Sequence, residues 1–231
     1  MHKFYAMDIE TVRDLNQQWA LPVPTAPGNY KKPEAIEQYI REARTKQLEQ
    51  MALSPLTGRV FCVAFVSGDG EAPVVFRCGD ETLFDEANVL RNTLQWLRKM
   101  QLAGDTLITY NGYSFDLPYI FKRAAIQNVR LPDTQENALT LLSYTDSYMF
   151  SRELHVDLYR EWCGSNGKGA SESLDTLVRA VLGVDRAVIA DTGKTHELIQ
   201  TAAGRSALEG KCVADATYTK QLYERLYGIL F

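Results

Sequence analysis

Three acidic groups stand far apart in this chain, at positions an α/β sheet could gather. They are Asp8-x-Glu10, Asp116 at the end of Asn111-Gly112-Tyr113-Ser114-Phe115-Asp116, and Asp215. Asp8 and Glu10 are two residues apart, so on a strand both side chains leave the same face. Four carboxylates drawn to one point repel each other strongly unless cations lie between them. An all-oxygen donor set suits hard divalent ions, Mg²⁺ or Mn²⁺. Two such ions would neutralise the set and clamp the attacking and leaving oxygens of a phosphodiester.

Each group has an ordinary alternative. An acid pair at a strand end is usually solvated, but Met7 and Ile9 flank this one in a strand that should be central. Buried carboxylates there need cations or dedicated donors. Asp116 opens a helix, where an acid is favoured by the helix dipole. That explains Asp116 alone, and not its coincidence with the acid pair at 8 and 10; it follows the hydrophobic run Leu107-Ile108-Thr109-Tyr110. The carboxyl end of a parallel strand is also where open α/β sheets build their sites. Asp215 sits mid-helix among small and apolar residues, with Lys211 one turn before it.

The elements that must position these groups can be read from periodicity and breakers. Residues 3–9 form the first strand. Pro22, Pro24, Pro27-Gly28 and Pro33 break the next stretch into loop, and Pro33 opens a helix to Met51. Residues 14–57 read as an insertion of loop and helix within a single domain spanning 1–231. Strands follow at Val60–Val66 and Pro73–Cys78, joined by the turn Ser67-Gly68-Asp69-Gly70. Then come a helix over 82–101, a strand at Leu107–Tyr110, a helix from Asp116 to about Ile126, and a short strand His155–Leu158. A flexible loop covers Gly164–Gly169, a helix covers 171–182, and the last helix runs from Ala207 to Tyr227. The glycine turn predicts antiparallel pairing early, and the helical crossovers predict parallel pairing later.

Bulk properties narrow the function classes. A net charge of −4 argues against a bulk electrostatic nucleic-acid binder. It leaves room for a site whose positive charge comes from ions. The four cysteines form no CxxC pair, which disfavours structural zinc and a disulfide framework. There is no apolar run long enough to cross a bilayer and no signal-peptide core, so the cytoplasm is the default compartment and no membrane is expected.

Taken together, Asp8-x-Glu10, Asn111-x-x-x-Phe115-Asp116 and Asp215 resemble the DEDD (DnaQ-like) superfamily of 3′–5′ exonucleases. More of the chain resembles the predicted exonucleases related to the proofreading domain of family B DNA polymerases. Ala52-Leu53-Ser54-Pro55, His155-Val156-Asp157-Leu158 and Ser173-Leu174-Asp175 carry that likeness. The resemblance implies a ribonuclease H-like fold, with a mixed five-stranded sheet flanked by helices. It implies a two-metal exonuclease acting on single-stranded nucleic acid with a free 3′ end and releasing nucleoside 5′-monophosphates. Asp8 would bridge both ions, Glu10 and Asp215 would complete the first site, and Asp116 would act on the second.

One departure stands out. The superfamily places its general base, a tyrosine or histidine, four or five residues before the last aspartate. Here those positions hold Lys211 and Gly210. A weakly active or non-catalytic nucleic-acid-binding domain on the same fold, or an endonuclease, therefore stays open. Asn111, Tyr113 and Phe115 are candidate substrate contacts, with the Tyr113 or Phe115 ring stacking on or wedging against a terminal base. The competing view for Phe115 is core packing. His155 and Asp157 share a strand face, and a structural role suits them better than a metal-linked one. His2 and His196, without acidic partners in sequence, read as surface residues.

Overall fold

The computed structural model describes residues 3–79, 85–130, 154–164, 171–185, 195–227 and 229. A five-stranded sheet has the order β3-β2-β1-β4-β5. Its strands are β1 (Phe4–Arg13), β2 (Gly58–Ser67), β3 (Val74–Arg77), β4 (Thr106–Thr109) and β5 (His155–Asp157). β1, β2 and β3 pair antiparallel, while β4 pairs parallel with both β1 and β5. The expected mixed sheet, antiparallel early and parallel late, is what forms.

Around the sheet lie α1 (Pro33–Gln50), α2 (Glu86–Ala103), α3 (Asp116–Ile126), α4 (Leu158–Cys163), α5 (Leu174–Leu182), α6 (Thr195–Leu198) and α7 (Ala202–Leu226). Capping moves several boundaries away from their expected places. Asp85 accepts from the Asn88 N–H at 2.9 Å, so α2 starts at Glu86. Thr201 accepts from the Gly204 N–H at 3.0 Å, so α7 begins five residues before Ala207. Ser173 caps α5, which starts at Leu174 rather than 171. Leu158 belongs to α4 and not to the last strand, because the Asp157 carboxylate caps that helix at the Tyr159 N–H. β1 continues to Arg13 rather than stopping at residue 9. The loop expected over 164–169 is described only at Gly164, and His2 also lies outside the described residues.

β2 reads as an unbroken apolar run because both its faces are covered. Leu90, Leu94, Leu97 and Met100 of α2 and Leu208, Cys212 and Ala216 of α7 pack into the same core. Among the described residues, no helix is long and apolar enough to cross a membrane. α1 buries none of its residues.

Two features of β1 prepare a cleft. β4 accompanies β1 only from Phe4 to Ala6, so Asp8 and Glu10 lie past the end of that parallel pairing and keep only β2 beside them. The register with β2 then shifts between Glu10 and Thr11, an irregularity that bends and twists a strand locally. The chain leaving β4 must turn away to reach α3, and the space it vacates is the crevice.

One buried ion pair ties the sheet to its helices. Arg123 of α3 donates to both carboxylate oxygens of Glu86, at 2.9 and 2.6 Å, and to the Pro55 carbonyl at 2.9 Å. Glu86 also accepts from the Val60 N–H and from Gln127. Deleting one partner would leave the other charge buried and uncompensated. Arg123→Ala should therefore lower unfolding free energy by about 3–5 kcal/mol in denaturant melts. A loss below ~1 kcal/mol would show that the pair does not hold these elements together.

Candidate metal centre

The site is built along one face of β1. Ala6 packs with Leu177, Val178 and Leu222. Asp8 and Glu10 follow it at two-residue steps on the same face. α7 lies against β1, and Cys212 donates its thiol to the Asp8 carbonyl at 3.3 Å. That contact brings Lys211 and Asp215, one helical turn apart, over the two β1 acids.

Ligand oxygens of Asp8, Glu10 and Asp215 lie within 4.8 Å of one another. Asp116 falls outside that trio but lines the same cleft, together with Thr11, Asn111, Phe115, Lys211 and Thr195. The backbone N–H of Ile9 on β1 lies near the Asp116 carboxyl and favours its charged form. The structure thus brings three of the four expected acids into close contact and sets the fourth across the crevice.

Their electrostatics follow from crowding and burial. Burial first, then the charges of Asp215, Glu10 and Asp116, holds the Asp8 carboxyl well above the ordinary carboxylate range. Burial raises Asp116 to about 7, against the hydrogen bonds from its own N–H and that of Ile9 and with added repulsion from Asp157 and Glu10. Lys211 donates to Glu10 and, at 3.2 Å, to Asp215. Burial pulls its ammonium down, but the charges of Glu10 and Asp215 outweigh that and raise it above the usual lysine value. Asp8 Oδ2 is buried with no hydrogen-bond partner among the described residues. An orphaned carboxylate oxygen beside two more acids offers oxygen ligands that fit a hard divalent cation.

The turn from β4 into α3 explains much of the Asn-Gly-x-x-Phe-Asp motif without invoking ligands. Asn111 adopts a left-handed backbone with φ +67°, which asparagine tolerates better than most residues. A Cβ on Gly112 would lie 2.4 Å from Thr109 Oγ1, so only glycine fits. Asp157 pins the turn by accepting from the Asn111 N–H at 2.8 Å and the Tyr113 N–H at 2.9 Å. Asp157 is thus a backbone anchor, not a member of the acidic trio.

Two placements differ from expectation. Tyr113 is buried, its ring centroid 4.2 Å from that of His155 and under the Arg160 guanidinium at 4.6 Å. It does not line the cleft; Asn111 and Phe115 do. His196 is not a surface residue: it is only 7% exposed, on α6. α6 docks on β1 through the Thr195 hydroxyl, which donates to the Thr11 carbonyl at 3.1 Å. Thr195, Ala52 and Leu53 also line the cleft; Ala52 and Leu53 belong to a segment of the family likeness, while nothing in sequence marked Thr195, whose neighbours are distant along the chain.

The comparisons with known proteins agree with this architecture. A sequence model of the RNase H superfamily matches residues 47–196. The chain belongs to the RNase H superfamily. The matched span leaves out β1 and α7, so within this superfamily member the trio of Asp8, Glu10 and Asp215 rests on geometry. The DNA polymerase of Pyrococcus glycovorans is 28% identical over 109 residues, 44% of this chain and 14% of that protein. DNA polymerase 1 of Pyrococcus abyssi is 24% identical over 109 residues, with the same coverage. The match thus spans about a seventh of these relatives. The family B DNA polymerase of the hyperthermophilic archaeon Pyrobaculum calidifontis superposes with a TM-score of 0.63 at 22% identity, covering 98% of this chain and 24% of that one. That likeness shows a shared fold.

His155 gives the site's support a pH signature. Its Nε2 lies 2.8 Å from Thr109 Oγ1. Burial, with help from Arg160, pulls it down to about 3 from 6.5. Between those values the unfolded chain binds the extra proton, so stability rises with pH and is lost as pH falls through that window. In melts from pH 7 down to 4, wild type should lose stability more steeply than His155→Gln. Parallel slopes would mean that His155 is not held neutral by the fold.

Proposed function

We propose that the chain is a divalent-metal-dependent 3′–5′ exonuclease that removes nucleoside 5′-monophosphates from the free 3′ end of single-stranded DNA. The observation that carries this reading is the convergence of Asp8, Glu10 and Asp215 beside an unpartnered, buried Asp8 oxygen. Kinship with nucleic-acid polymerases supports the substrate class. Asp8, Glu10, Asp116 and Asp215 are the carboxylates available to Mg²⁺ or Mn²⁺ in this cleft. A bound ion there supplies Lewis acidity and lowers the pKa of the attacking water.

The protein's own groups do the rest. Phe115, half-buried on the cleft, and Leu53, 50% exposed beside it, offer apolar surface to a terminal nucleoside. Asn111 lines the same cleft. With a net charge of −4, binding depends on the strand end and not on a long basic track. Lys211 is cationic and so cannot accept a proton from water; its place is against the carboxylates or a phosphate.

In assays with end-labelled oligonucleotides, cleavage should require Mg²⁺ or Mn²⁺, start at the 3′ end and spare closed circles. Asp8→Ala and Asp116→Ala should each abolish it while keeping the fold, since removing one carboxylate relieves repulsion. Unchanged cleavage by rigorously purified Asp8→Ala would contradict the assignment, and efficient cutting of circles would favour an endonuclease. Running RNA alongside DNA tests the substrate choice directly. Lys211→Tyr, which restores a proton acceptor, should raise the rate by up to about 10²-fold.

A further inference from the structure

Lys211 does more than fill the position of an absent base. Its ammonium donates to Glu10 and to Asp215, two of the three acids whose oxygens lie within 4.8 Å. The lysine side chain is only 18% exposed and rises from the same helix as Asp215, one turn earlier. It is therefore a tethered cation set among the acids. Asp8 stands differently: its Oδ2 is buried and has no partner among the described residues. Charge compensation in the cleft is lopsided: among the described residues the Lys211 ammonium hydrogen-bonds to Glu10 and Asp215 and reaches Asp8 only as the smallest of the charges acting on it.

An ammonium and a divalent ion cannot share the space between the same two carboxylates. Both seek the same oxygen lone pairs at contact distance, and they repel each other. Resting on the metal-centre reading above, we propose that Lys211 holds the place of one cation, so that the centre takes a single Mg²⁺ or Mn²⁺ ion at Asp8. The second position, between Glu10 and Asp215, opens only when the lysine's charge is removed. Lys211 thereby sets the metal stoichiometry of the site.

The test is Mn²⁺ binding to the metal-stripped full-length chain, counted by titration calorimetry and by the loss of free-Mn²⁺ EPR signal. Wild type should bind one ion, and Lys211→Arg, which keeps the charge, also one. Lys211→Met, with its fold checked by circular dichroism, should bind two; Lys211→Gln serves if the methionine variant does not fold. Asp8→Asn should lose the single ion. Two ions on wild type, or one on the uncharged variants, would overturn the proposal while leaving a metal centre standing. Retention of the ion by Asp8→Asn would overturn its placement. No Mn²⁺ on wild type or on any variant would overturn the metal centre itself and this proposal with it.

Discussion

Gathering like charges at the end of one strand is the constraint on which the rest of the cleft depends. Two carboxylates 4 Å apart cost about 4 kcal/mol at an effective dielectric near 20. Asp8, Glu10 and Asp215 approach to within 4.8 Å while Glu10 and Asp215 are largely buried. That repulsion is a large fraction of what an ordinary domain has to spare. The fold tolerates it because the Lys211 ammonium bridges Glu10 and Asp215, and because β1 is clamped by the apolar packing around it. Stability and site pull in opposite directions here, as is common where a protein keeps a polar cluster for chemistry.

The clamp has two parts. On one side the Glu86–Arg123 pair fastens α2 and α3 to the start of β2 and to the chain at Pro55. On the other, Asp157 holds the turn after β4 by its backbone N–H groups, and His155 supports it from beneath through Thr109 and the Tyr113 ring. Asp116 is therefore aimed at the cleft by a turn whose shape is set by Asn111, Gly112 and Asp157. Residues of the second acidic motif divide into those that shape the backbone and those that face the crevice.

Much of this was legible in sequence because it depends on local pattern. The two-residue step from Asp8 to Glu10, the apolar run of β2, Pro33 at the start of α1 and the strand-to-helix passage into Asp116 all declare themselves within a few residues. What escaped depends on partners far along the chain. The buried state of His196 follows from α6 docking on β1, through a hydrogen bond spanning 184 residues. Glu86 and Arg123 are 37 residues apart, and nothing beside either one in sequence marks the pairing. Tyr113 turns into the core because His155 and Arg160 receive its ring, which its own neighbours in sequence do not foretell. The ion pairs of Lys211 depend on α7 lying against β1, with Glu10 201 residues away.

The central claim is that the acids at the end of β1 form a cation-binding centre and are not a set of charges merely tolerated by the fold. The most direct measurement is the melting temperature of chelator-treated protein across a Mn²⁺ titration, wild type against Asp8→Asn. An ion that binds the folded state alone stabilises it by about 2.7 kcal/mol at a hundredfold excess over its dissociation constant, a shift of several degrees for a chain of this size. A cation-binding centre at these acids gives that rise in wild type and a flat response in Asp8→Asn. A flat response for wild type, or equal rises for both proteins, would contradict it.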